Sequence, residues 1–208
     1  AGRRGPSLVS LHDLEPTAEE EARDASSEAE VSLRGRRVIV ADDDPAVRWF
    51  FAQLLEDEGA SVVQAEDGAV ALAAARAEPP DVIVSDILMP NMDGLALCRA
   101  LSRDPSVSET PVILLSWRED FLSRMRELRA GDRGYLRKEA ESTQILAKVR
   151  DVLRGRSQFE ARLRAGGAVR GRVEGLGIPC LLSTLLRERE HALLTVRDAF
   201  NLFEVEIQ

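Results

Sequence analysis

The sequence predicts an open α/β fold: a doubly wound, five-stranded parallel sheet followed by a small αβ fragment. Three observations predict it. Short apolar runs recur at 37–41, 61–65, 81–86, 111–116 and 134–137. Helical stretches separate them at 45–58, 68–78, 93–103, 119–130 and 141–153. The apolar runs stop on polar residues, namely Asp42 and Asp43, Asp86, Ser116 and Lys138. Nearly continuous apolar runs are the mark of strands buried on both faces. Alternating strand and helix signals place helices on both sides of a parallel sheet, and right-handed crossovers leave few topologies.

Before the first run lies an acidic segment. From Asp13 to Glu30 there are eight acidic residues and one Arg, with no hydrophobic period. Residues 1–35 are therefore expected to be a disordered tail or linker. The helix at 45–58 opens with Pro45, suited to a first helical position, and stops before Gly59. The Ala-rich helix at 68–78 stops at Pro79-Pro80. These elements assign a domain to residues 36–154.

The last helix of that domain has two readings. Ile145, Val149, Val152, Arg156, Phe159 and Leu163 follow a spacing of 4, 3, 4, 3, 4, as in a short heptad seam. Gly155 and Arg156 weaken a seam, which favours an amphipathic helix docked on its own sheet. Residues 155–167 are then an Arg/Gly-rich linker or a helix extension. Residues 168–208 read as strand, short helix and strand pair: AVRGRVEGLG, IPCLLSTLLRER, then HALLTVRD and NLFEVEIQ with a turn near Asp198–Asn201. About 40 residues is small for an independent fold, so truncation or pairing with another chain is expected. The chain begins without Met, which fits a piece of something longer.

Composition removes several function classes. The chain has 208 residues and a net charge of −8, which argues against a generic nucleic-acid surface. No segment is long and apolar enough to span a membrane, and the first residues lack the apolar core of a signal peptide. Cys98 and Cys180 make neither a disulfide framework nor a metal-ligand spacing, which fits a reducing, cytoplasmic setting. His12 and His191 have no ligand partner nearby in sequence. Trp49, Phe50 and Phe51 read as helix core and flank. The 118–137 stretch carries Arg118, Arg124, Arg126, Arg129, Arg133 and Arg137 and reads as a solvated face. The 28 basic residues are 26 Arg and 2 Lys, yet Lys stands at 138, at a strand end. A compact ammonium suits a confined site where a planar guanidinium fits poorly.

Ligands bind at the carboxyl edge of an open α/β sheet. Three carboxylates, a hydroxyl and an ammonium on that edge point to a divalent cation and a phosphoryl group. Mg²⁺ takes oxygen ligands and often shares them with phosphate. A carboxylate such as Asp86 can then act as a nucleophile toward phosphorus. The acyl phosphate formed needs counter-charge and donors, which Lys138 and Ser116 can supply.

The segments VIVADDDPAVR, DVIVSDILMPNMDG, TPVILLSW and AGDRGYLRK make residues 36–154 resemble the receiver domain of bacterial two-component response regulators. Spacings of 43 residues from Asp43 to Asp86, 30 from Asp86 to Ser116 and 22 from Ser116 to Lys138 are similar to that family. The resemblance implies a flavodoxin-like sheet of order 2-1-3-4-5. It implies a phosphorelay signalling module rather than an enzyme, with Asp86 as phosphoacceptor from a histidine kinase or phosphotransfer protein. It implies Mg²⁺ on Asp43, Asp86 and the backbone carbonyl of Leu88, with Asp42 helping through water. Ser116 and Tyr135 would be the switch pair, and a downstream protein the target. The 118–137 face covers a surface that receivers often use to dimerise or meet targets. The segments VRGRVEGLGIPCLLSTLL and HALLTVRD resemble the start of an interaction domain found beside receivers in bacterial gliding and developmental regulators.

Two residues depart from the receiver pattern. Trp117 follows the switch hydroxyl where a small residue is usual, and a bulky indole there is expected to slow entry of phosphodonors or water. Glu139 follows Lys138 where a proline after a cis bond is usual. A cis bond before a non-proline costs about 2.5–4 kcal/mol, so a trans Lys138–Glu139 bond is expected, with a shifted Lys138 and an added negative charge nearby. These departures keep a second reading open, a pseudo-receiver scaffold that phosphate does not switch. A third is a phosphatase of the haloacid dehalogenase type, from the Asp42-Asp43-Asp44 run, in which LMPNMDG would have no role. A DNA-binding output is disfavoured, because no helix-turn-helix follows.

Overall fold

The structure is a computed structural model and describes residues 7–11, 31–117, 134–165, 184–185, 192–197 and 202–207. The elements in chain order are β1 (Ser7–Leu11), β2 (Arg37–Ala41), α1 (Pro45–Asp57), β3 (Ser61–Ala65), α2 (Gly68–Ala77) and β4 (Val82–Asp86). They continue with α3 (Gly94–Ser102), β5 (Val112–Ser116), β6 (Tyr135–Arg137), α4 (Ser142–Ala165), β7 (Ala192–Arg197) and β8 (Leu202–Ile207). The expected helix at 119–130, the strand at 168–177 and most of the helix at 178–189 lie outside the described residues. So do His12, His191 and Arg118 to Arg133.

Five parallel strands form one sheet in the order β3-β2-β4-β5-β6. Numbered from β2, this is the expected order 2-1-3-4-5. The strand period of two divides the core between the faces. Val38 and Val40 of β2 pack with Phe51 and Leu55 of α1 and with Ile145, Val149 and Leu153 of α4. Ile39 and Ala41 pack on the other face with Ala71 and Leu72 of α2 and Leu97 and Leu101 of α3. The central strands β4 and β5 are buried at every position, whereas the edge strand β3 is buried only at Ala65. This is why β4 and β5 read as unbroken apolar runs.

Aspartates start the helices and so shape the functional edge. Asp44 accepts hydrogen bonds from the Ala46 and Val47 amides, Asp67 from Val70 and Asp93 from Ala96. Each satisfies an amide that the helix leaves unpaired. Gly59, with φ of +88°, follows α1 in the left-handed region that glycine tolerates.

The chain divides into two compact units, 31–154 and a second formed by 1–30 with 155–208. Two expectations change. Residues 1–35 are not wholly a disordered tail, since β1 pairs parallel with β7, Ser7 opposite Ala192. Ser-Leu-Val-Ser-Leu does not alternate and its partner lies at the other end of the chain, so no local pattern announces it. Leu33 is buried and Val31 packs against the same core, so that core begins before residue 36. Residues 155–165 are a helix extension rather than a linker. Of the proposed seam, Ile145, Val149, Phe159 and Leu163 are buried, while Val152 and Arg156 are half-buried. β7 and β8 pair antiparallel as expected, in a three-stranded sheet of order β1-β7-β8.

Candidate functional site

The carboxyl ends of β2, β4, β5 and β6 gather the polar residues singled out in the sequence. Register places Ala41 beside Ser85, Asp86 beside Leu115 and Ser116 beside Arg137. The residues that follow these ends, Asp42, Trp117 and Lys138, therefore meet along one edge. Carboxylate oxygens of Asp42, Asp43 and Asp86 lie within 4.8 Å of one another. Asp42 and Asp86 are buried and Asp43 is exposed, so the cluster has a sheltered base and an open side.

Lys138 organises the base. Its Nζ lies 2.6 Å from Asp42 Oδ2 and 2.8 Å from Asp86 Oδ2. Its backbone amide donates to the Ser116 carbonyl at 3.0 Å, which ties β6 to β5. Burial alone would lower the pKa of this ammonium, but the adjoining Asp42 and Asp86 carboxylates outweigh it and hold the value above normal. Burial pushes the Asp42 carboxyl up, against the opposing pull of Lys138 and of the Asp44 amide. Asp42 Oδ1 accepts that amide at 3.0 Å, whereas Oδ2 has no partner at hydrogen-bonding angles. It faces the ammonium at ion-pair distance only. Three carboxylates whose oxygens converge within 4.8 Å, one of them open to solvent, suit a hard divalent cation.

The departures have a clear geometry. No cis peptide bond occurs among the described residues, so the Lys138–Glu139 bond is trans as expected. The expected displacement of Lys138 does not follow, because its side chain reaches both carboxylates. Glu139 is exposed and ion-paired with Arg137 rather than added to the acidic cluster. Trp117 is 53% exposed, and the Lys138 ammonium lies 5.7 Å from the centre of its ring. That is cation–π range, so the partly exposed indole neighbours the buried ammonium directly.

Ser116 is buried at the end of β5, and Tyr135 is half-buried at the start of β6, packed against the core of the α2–α3 face. Leu88 is 56% exposed, two residues past Asp86, while Ile87 and Met89 on either side are buried. Further residues of the edge carried no clear signal in the sequence. Arg48 Nη1 donates to the Asp42 carbonyl, one helical turn from the acidic run. Gly94 lies so close to β4 that a Cβ there would sit 2.3 Å from the Asp86 carbonyl oxygen. The Asp-Gly pairs at 67–68 and 93–94, each before a helix, were the available hint.

Residues 38–150 match the response regulator receiver domain family. The chain belongs to that family. Protein PilH of Pseudomonas aeruginosa is 34% identical over 119 residues, covering 57% of this chain and 98% of PilH. Response regulator PleD of Caulobacter vibrioides is 34% identical over 150 residues, covering 68% of this chain but only 33% of PleD. Among solved structures, the receiver domain of a signal transduction histidine kinase from Syntrophus aciditrophicus superposes with a TM-score of 0.54. It is 30% identical and covers 58% of this chain and 92% of its own. The chain is thus a receiver module of two-component phosphorelay signalling. The haloacid dehalogenase reading finds no support in these relatives.

Proposed function

We propose that Asp86 is the phosphoacceptor and that its donor is a histidine kinase or a phosphotransfer protein. The observation that carries this is the Lys138 ammonium 2.8 Å from Asp86 and 2.6 Å from Asp42, beside a third carboxylate. A carboxylate oxygen of Asp86 forms a bond to phosphorus as the bond from phosphorus to the donor nitrogen breaks. The donor imidazole leaves with its electron pair. Asp42, Asp43, Asp86 and the Leu88 carbonyl would hold Mg²⁺, which supplies positive charge to the transferring phosphoryl oxygens. Lys138 shifts its ion pair from Asp86 to those oxygens as the carboxylate becomes an acyl phosphate. Trp117 limits the access of water.

The new dianionic group then biases a two-state element. Ser116 turns its hydroxyl toward the phosphoryl group, and Tyr135 follows inward. The readout is a changed surface for a downstream protein, in a cytoplasmic module that is not itself an enzyme. The net charge of −8 favours a protein target over nucleic acid. Residues 168–208 act as a small interaction fragment, and homodimerisation through the 118–137 face is part of the same proposal.

The test is intact mass after incubation with Mg²⁺ and a small-molecule phosphodonor. Wild type should gain one phosphoryl group and Asp86→Asn none. Equal gain in both proteins, or none in either, would reject Asp86 as the acceptor.

A further inference from the structure

The loop between β4 and α3, residues 87–93, is fastened at both ends. At its start, Ile87 and Met89 are buried, and the Ile87 amide donates to the Leu115 carbonyl at 3.1 Å. Near its end, it is tied to a different βα unit. Asn91 Nδ2 donates to Asp67 Oδ2 at 2.7 Å, and the Gly68 amide donates to the Met92 carbonyl at 3.0 Å. Leu88, whose carbonyl is assigned to the cation, lies between these anchors.

Asp67 has two roles. Its Oδ1 accepts the Val70 amide at 2.8 Å and so starts α2, while its Oδ2 takes Asn91. Asp67 itself is buried, while its partner Asn91 stands exposed, so the bond between them joins the interior to the surface loop. Hydrogen bonds to an ionised group are roughly twice as strong as neutral ones. The Asn91 amide, followed by the Val70 amide, holds the Asp67 carboxyl below its ordinary pKa, so it stays charged. Asn91 has φ of +56°, a left-handed conformation that Asn tolerates better than most residues. Gly68 leaves no room for a side chain, because a Cβ would lie 2.6 Å from the Met92 carbonyl oxygen. Backbone conformation, a charged hydrogen bond and close backbone packing thus converge on one loop position.

We propose that Asp67 and Asn91 form a latch that holds the 87–93 loop, and with it the Leu88 carbonyl, in position for the divalent cation. Asp67 is a positioning residue, since it acts on the cation through the loop. Removing the partners that orient a metal ligand typically costs 10–100-fold in affinity. This inference rests on the cation reading proposed above.

Mg²⁺ titrations followed by calorimetry test it. Asp67→Ser keeps an oxygen to cap α2 and loses the reach to Asn91. Asn91→Gly keeps the left-handed backbone and loses the amide. Each should weaken Mg²⁺ binding about tenfold, and the double variant should lose no more than either alone. Ile145→Val, in the core on the opposite face of the sheet, lowers stability without touching the loop and should bind Mg²⁺ as wild type does. Wild-type affinity in Asp67→Ser and Asn91→Gly would overturn the latch, as would losses that multiply in the double variant. Mg²⁺ binding by wild type that is absent in Asp43→Asn confirms the cation site independently. If wild type itself binds no Mg²⁺, the cation reading fails and the latch falls with it.

Discussion

The Lys138 ammonium lies 2.6 Å from the Asp42 carboxylate, with both side chains at most 2% exposed. Charges withdrawn this far from water depend on each other, and removing one partner strands the other. Lys138→Met should therefore cost about 3–5 kcal/mol in stability. Urea denaturation at neutral pH reads this. Mg²⁺ in the millimolar range should restore part of the loss, since a cation that binds only the folded state stabilises it. A loss that Mg²⁺ leaves unchanged would detach the acidic cluster from cation binding.

Trp117 stands over the same lysine, its ring centre 5.7 Å from Nζ. On the proposal above the indole limits the access of water, and the same bulk would hinder a phosphodonor. Trp117→Ala should accelerate both phosphorylation by a small donor and loss of the phosphoryl group. A factor of about three to ten is expected for each, a barrier change of about 0.7–1.4 kcal/mol. Rates of both steps, followed by intact mass, check this. A change in one step alone would mean that the indole acts through Lys138 and not as a cover.

Much of this edge was legible from the sequence because its residues end apolar runs. Asp42, Asp86, Ser116 and Lys138 come at the ends of β2, β4, β5 and β6, and a parallel sheet aligns such ends without further information. The Asp67–Asn91 contact was not legible, because it joins loops of two separate βα units. The pairing of β1 with β7 was hidden for the same reason, on a larger scale. Glu139 misled in the opposite direction. Its position suggested charge beside the acidic cluster, but neighbouring Arg137 takes it up instead.

Two glycines should respond to alanine with opposite signs. In α3, a Cβ at Gly94 would meet the Asp86 carbonyl oxygen at 2.3 Å and Leu114 Cδ2 at 3.0 Å. Backbone cannot yield as a flexible side chain does, so Gly94→Ala should lose about 1–3 kcal/mol and displace Asp86. In α4, no described atom lies within 4 Å of a Cβ at Gly155. Gly155→Ala should gain about 0.5–1 kcal/mol from helix propensity alone. Thermal denaturation of the two variants compares them directly. Equal effects at the two positions would show that the close approach of α3 to β4 is not tight.

Asp104 gives the fold a defined acid limb. Ser106 Oγ donates to its Oδ1 at 2.7 Å, and Arg76 Nε from α2 donates to Oδ2 at 2.7 Å. Ser106, then Arg76, lower its pKa from 3.8 to about 2. A carboxyl whose pKa is depressed on folding stabilises the protein above its unfolded value and loses that contribution as pH falls through its folded value. The stability difference between wild type and Asp104→Asn should therefore be constant above about pH 5. It should shrink as pH falls from 3.8 toward about 2 and be gone below that range. Urea midpoints for both proteins across this interval measure the difference. If it stays flat, the Arg76 and Ser106 contacts do not hold the carboxylate in its charged form.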